Sequence, residues 1–191
     1  MAGPEARATD NQGEYAVRGA GLVSCAVFNQ SREKHDDVYL VVAAWIDGYI
    51  TAANQYAPDT YDAAPFESTE LFLTIAGQYC RDHPKVPVVA VLLDVMKRIW
   101  PDRLTRKSEK VPITHSGHST RLYVEIIRRM QRKLQSAGYY KGPIDGTFSS
   151  RTIEALKAFQ KSIAFKPTGF PDQATLWRLL QGKGSVHQLQ G

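Results

Sequence analysis

The chain has 191 residues, enough for one medium domain or two small ones, and 43% hydrophobic with 23% charged residues is the composition of a folded rather than a disordered protein. Residues 1–96 carry 6 Lys/Arg against 13 Asp/Glu, a balance of −7, whereas residues 97–191 carry 18 against 6, a balance of +12, which together give the net +5. A basic second half favours an anionic partner such as nucleic acid, anionic lipid head groups or peptide carboxylates, although a solvated cationic face needs none. No stretch approaches the roughly 18 apolar residues that cross a membrane; the longest runs only from Val38 to Ile46.

Residues 1–13 read as a flexible lead-in without the basic-then-apolar pattern of a signal peptide, so an exported form is expected to have carried a signal no longer present. A first helix is expected from about Tyr15, with Val17, Gly21, Cys25 and Phe28 on one face. The second is apolar around much of its girth, and Val38, Val41, Trp45, Tyr49, Ala52 and Tyr56 keep to one face, so it is expected to be central. Its Gly48 is expected where a neighbour comes close. A third starts near Ser68 or Thr69 and carries Cys80 to its end at His83-Pro84; a fourth runs from about Pro87 to Trp100. Residues 102–119 have the composition of an extended basic linker between residues 14–101 and 120–182.

In the second half, Tyr123, Ile127, Met130, Leu134 and Ala137 define a helix that Gly138 ends in a left-handed cap. Ser149 or Ser150 can cap the next, with Thr152, Leu156, Phe159 and Ile163 inward, and Asp172 a last short helix carrying Leu176, Leu179 and Leu180. Residues 183–191 are a polar tail, and no internal repeat joins the two halves. The fold class expected is all-α, in two small helical domains.

Gln131-x-x-Leu134-Gln135, Gly138-Tyr139-Tyr140, Asp145-Gly146-x-Phe148, Thr152-x-x-Ala155-x-x-x-Phe159-Gln160, Thr168-Gly169 and Asp172-x-x-Thr175 resemble the three-helix peptidoglycan-binding domain of bacterial cell-wall hydrolases and wall-anchored proteins. The chain departs from that pattern at Ser149-Ser150, where the family usually has Gly-Pro or a similar pair. The resemblance implies peptidoglycan as a partner, periplasmic localisation, and a ligand site at Tyr139, Tyr140, Asp145, Thr147, Arg151, Thr152 and Gln160. One tyrosine must cover the core, and Tyr140 is the one expected to be exposed. Arg151 and Thr152 lie at a helix N-terminus, where backbone N–H groups favour an anion. Asp145 can instead close its own turn.

In a chain with such a module, an even cysteine count implies a Cys25–Cys80 disulfide in an oxidising compartment, two buried cytosolic thiols being the alternative. Gly21-Leu22-x-x-Cys25, Trp45-x-x-Gly48-Tyr49 and Tyr79-Cys80-x-x-His83-Pro84 resemble the Rap1a/Tai family of small periplasmic helical proteins, HdeA-like in shape, which includes immunity proteins against type VI secretion amidase effectors. This implies a protein partner for the first half, an envelope protein or a secreted effector.

No nucleophile elbow, phosphate-binding glycine loop or His-Glu-x-x-His helix is present, so no enzyme activity and no cofactor are expected. His115 and His118 lack the further ligands of a metal site, and His83 near Cys80 is expected to mark only a helix end. The cationic run Arg128, Arg129, Arg132 and Lys133 has no groove-reading motif beside it, so no nucleic-acid partner is expected. The function expected is non-catalytic: wall binding by the second half and protein binding by the first, as an accessory of a secretion or envelope machine. The alternatives are an immunity or inhibitor protein against a wall-degrading effector, and a cell-wall hydrolase with an unrecognised catalytic first half.

Overall fold

Short polar side chains start four of the helices. Ser24 Oγ accepts from Val27 N–H, Asp36 from Val38 and Tyr39 N–H, Ser68 from Leu71 N–H and Asp172 from Thr175 N–H, each satisfying donors that the first turn leaves unpaired. A computed structural model describes residue 10 and residues 12–182. The elements follow in the order α1 (Cys25–Lys34), α2 (Asp37–Tyr56), α3 (Thr69–Asp82), α4 (Val88–Ile99), β1 (Lys110–His115), β2 (His118–Tyr123), α5 (Val124–Ser136), α6 (Ser150–Ser162) and α7 (Gln173–Leu180). Most of the expected lead-in and all of the expected tail lie outside the described residues.

The structure is mostly helical, with three departures from expectation. First, α1 begins at Cys25 rather than near Tyr15, preceded by a single 3-10 turn over Gly19–Leu22. Gly19 has φ +67°, in the left-handed region, so a regular α-helix from Tyr15 cannot run through it. The Trp45 ring occupies the space where a Cβ on Gly21 would stand, so Gly21 is a close-packing site. Second, α2 buries Tyr39, Val42 and Ile46, while Val38, Val41 and Tyr56 of the expected stripe are exposed. A helix apolar on several sides can turn more than one face inward, and here α1, α3 and the turn before α1 make the choice. Gly48 faces open space, so the close approach expected there is absent.

Third, the stretch expected as an extended linker folds as an antiparallel hairpin in which Lys110 pairs with Tyr123 and His115 with His118. Ser116 and Gly117 have φ of +52° and +76°, the two positive values that a tight hairpin turn demands. Alternation then points Ile113 and Leu122 inward, where both are buried. Before the hairpin, Leu104 is buried and exchanges backbone hydrogen bonds with Asp62.

Cys25 and Cys80 form a disulfide that ties the start of α1 to the end of α3, with their Cα atoms 4.8 Å apart. Both cysteines belong to a core that continues without a break from Phe28, Ile46 and Ile75 to Ile126, Leu156 and Leu176. Polar bonds cross the same seam. Ser68 N–H donates to Gln173 Oε1 at 2.9 Å, Gln173 Nε2 donates to Phe66 O at 2.7 Å, and Tyr123 OH donates to Asp62 Oδ2 at 2.8 Å.

Candidate functional site

Two glutamine amides organise the loops after α5 and α6. Gln131, fully buried on α5, accepts from Gly146 N–H at 2.9 Å and donates to Asp145 Oδ1 at 3.1 Å and Thr147 O at 3.0 Å, with Tyr140 OH and Thr152 Oγ1 also in reach. Gln160, fully buried on α6, accepts from Gly169 N–H at 2.7 Å and donates to Phe170 O, Thr168 Oγ1 and Thr175 Oγ1 at 3.0, 3.2 and 3.1 Å. Gly146 and Gly169 both have positive φ. A Cβ on the first would meet Val124 and Arg128, and on the second Ile153 and Lys157. Those neighbours stand seven and three residues before their glutamine in each case, and a threonine follows each glycine by six residues. The module is therefore two copies of one helix–loop–helix device sharing α6. The signal is present in the sequence as Gln131, Gly146, Thr152 against Gln160, Gly169, Thr175, and sequence reasoning missed it because the two loops differ in length.

This device accounts for several residues expected to touch ligand. Gln160 and Thr152 are fully buried in it. The exposed Asp145 carboxylate accepts from Thr147 N–H at 2.8 Å and from Gln131; the first bond, then the second, lowers its pKa below the ordinary carboxylate value. Thr147 uses its backbone in the clamp and leaves its side chain exposed.

Tyr140, expected to be the exposed tyrosine, is instead 3% exposed, and its hydroxyl donates to Pro143 O at 2.8 Å. Gly138, at φ +82°, turns the chain so that Tyr140 falls back onto α5 and Tyr139 is left half-buried, edge-on to Phe159. The cap expected at Gly138 is therefore present, and it reverses the roles expected of the two rings.

What the fold brings together is a cleft of about 470 Å³ between the loop at 139–142 and the start of α6. Tyr139 and Tyr140 form one wall, Lys141 and Gly142 continue it, and Ser150, Arg151 and Glu154 face them. Arg151 is exposed and makes no ion pair among the described residues. Ser149 takes the N-cap position of α6, yet its side chain makes no cap hydrogen bond. Two cations, partly offset by Glu154, thus face a cleft with an aromatic wall beside the N-terminal turn of α6, an arrangement suited to a ligand carrying a carboxylate beside an apolar or sugar face. The neighbouring cationic run is partly neutralised within α5: Glu125 contacts Arg128 at 3.8 Å, Arg129 at 3.7 Å and Arg132 at 2.6 Å. Among the described residues, no three His, Cys, Asp or Glu side chains gather where a metal ion could be held.

Residues 124–179, which run from the start of α5 into α7, match the family model described as "Putative peptidoglycan binding domain". No curated protein and no solved structure matches the chain.

Proposed function

We propose that the protein binds peptidoglycan non-covalently through the cleft between Tyr139 and Arg151, and a protein partner through its first helices. The family match over residues 124–179 carries this reading. The cleft supports it by placing Arg151, Lys141 and the open start of α6 where a peptide carboxylate would sit, with Tyr139 beside a sugar or stem residue. Asp145, Thr152 and Gln160 then shape the site without touching ligand, while the largely buried Tyr140 backs its aromatic wall. The disulfide and the wall module together favour a periplasmic setting. No helix among the described residues is long and apolar enough to cross a membrane.

The partner surface is assigned to the first turns of α2, where the adjacent Leu40 and Val41 are 59% and 56% exposed on a helix that already packs its other face. A partner there fits an accessory of a secretion or envelope machine, and equally an immunity protein of the Rap1a/Tai kind held at the wall. The reading includes no covalent chemistry; release of soluble muropeptides from sacculi by the purified protein would replace it with a hydrolase.

The deciding experiment is co-sedimentation of the full chain with purified sacculi. Arg151→Ala and Tyr139→Ala are expected to weaken pelleting about tenfold each, and raised salt to weaken the parent more than Arg151→Ala. Parent protein that stays in the supernatant sinks the proposal.

A further inference from the structure

A second groove of about 430 Å³ lies where α3 meets α7, so one wall comes from outside the family-matched residues. Leu71 and Phe165 supply apolar walls, Trp177 and Gln78 line it, and Glu70 and Arg178 bring opposite charges to it. Its size falls in the range of ligand clefts, roughly 300–1,000 Å³.

Two polar atoms set this groove apart. Trp177 is 4% exposed, and its indole N–H is buried without a partner among the described residues. The Gln78 side-chain oxygen is likewise buried and unpaired. One is a donor and the other an acceptor, the complement of an amide's C=O and N–H, and leaving both unmet costs free energy that a bound amide would recover. The charges point the same way. Arg178 has no ion pair or hydrogen bond among the described residues, so its guanidinium is available to a carboxylate. Glu70 accepts from Tyr39 OH at 2.7 Å on one oxygen and from Thr74 Oγ1 at 3.5 Å on the other, and each oxygen keeps a further lone pair for an ammonium. Gln173 Nε2 bonded to Phe66 O and Ser68 N–H bonded to Gln173 Oε1 hold the two walls together beside it.

We infer that this groove binds a short peptide with free termini, its backbone amide between Trp177 and Gln78, its carboxylate on Arg178 and its amine towards Glu70. The shared chemistry is that of a small zwitterionic peptide, which a stem peptide released from the glycan and an ordinary protein fragment can both supply.

The test is a titration of the ¹⁵N-labelled full chain, which holds three tryptophans, with trialanine, its C-terminal amide and the stem pentapeptide L-Ala-γ-D-Glu-L-Lys-D-Ala-D-Ala. The Trp177 indole resonance, assigned by its loss in Trp177→Phe, should shift and saturate while those of Trp45 and Trp100 stay in place. Arg178→Gln and the amidated peptide should each weaken binding at least fivefold. The tighter of the two free peptides names the source, and either order supports the site. An unmoved Trp177 resonance at millimolar concentrations of both, or undiminished affinity in an Arg178→Gln protein that melts like the parent, overturns the inference. Pelleting of Arg178→Gln with sacculi should equal that of the parent, which separates this groove from the Tyr139–Arg151 cleft.

Discussion

At Gln131 and Gln160 a single buried amide closes an entire loop, accepting from a glycine N–H and donating to a backbone carbonyl and a threonine hydroxyl. Such fully paired amides are stable in a core because every donor and acceptor is met. Glu67 is the contrary case. It is 9% exposed, its Oε2 accepts from Phe66 N–H, its Oε1 has no partner among the described residues, and burial, with Asp102 and Asp62 adding repulsion, pushes its pKa up to about 8. The folded protein therefore keeps a proton that the unfolded chain releases near 4.5. Stability from this group is complete below that value, declines as pH rises, and is gone above about 8. Glu67→Gln should flatten that decline and raise stability at pH 9 by on the order of a few kcal/mol. Urea unfolding of parent and variant at pH 5 and pH 9 checks this; a parallel loss in both would place the pH dependence elsewhere.

Among elements, α1 depends most on a covalent tie. It is ten residues long, below the length at which isolated helices persist, and Cys25 joins its first residue to α3. The bridge closes a loop of sequence separation 55, for which the chain-entropy estimate is about 4 kcal/mol. Cys25→Ser with Cys80→Ser should lose about that much, read from the midpoint of chemical unfolding, and reducing agent should have the same effect on the parent and none on the variant. The hairpin gives the opposite lesson. Its strands alternate only weakly and contain Pro112 and the charged Lys110 and Arg121, so composition alone reads as linker. Ser116-Gly117 carries the turn, and the core contacts of Ile113 and Leu122 turn a marginal ribbon into a fixed element.

Across the whole molecule, the acidic first half and basic second half meet over one continuous core and a line of polar bonds through Phe66, Ser68, Gln173, Asp62 and Tyr123. α7, eight residues long, starts at this seam with Gln173, and its Leu176 and Leu179 are buried in that core. The full chain should therefore unfold in a single calorimetric transition whose calorimetric and van't Hoff enthalpies agree. Two resolved transitions would show that the halves are thermodynamically separate. The seam also creates the groove between α3 and α7, which neither half could form alone.

Short-range chemistry was legible in the residues themselves. Ser68 and Asp172 start helices, Gly138 ends one, and the motifs from Gln131 to Thr175 lie in the stretch that matches the peptidoglycan-binding family model, because caps, left-handed turns and helical period act within a few residues. Which stripe of α2 is buried, which of Tyr139 and Tyr140 reaches solvent, and whether residues 102–119 extend or fold were settled only by tertiary structure. Each depends on a partner far along the chain: α3 beneath α2, Gln131 and Pro143 around Tyr140, the core beneath Ile113 and Leu122. A local pattern shows that a side chain can be buried; the surface it meets decides that it is.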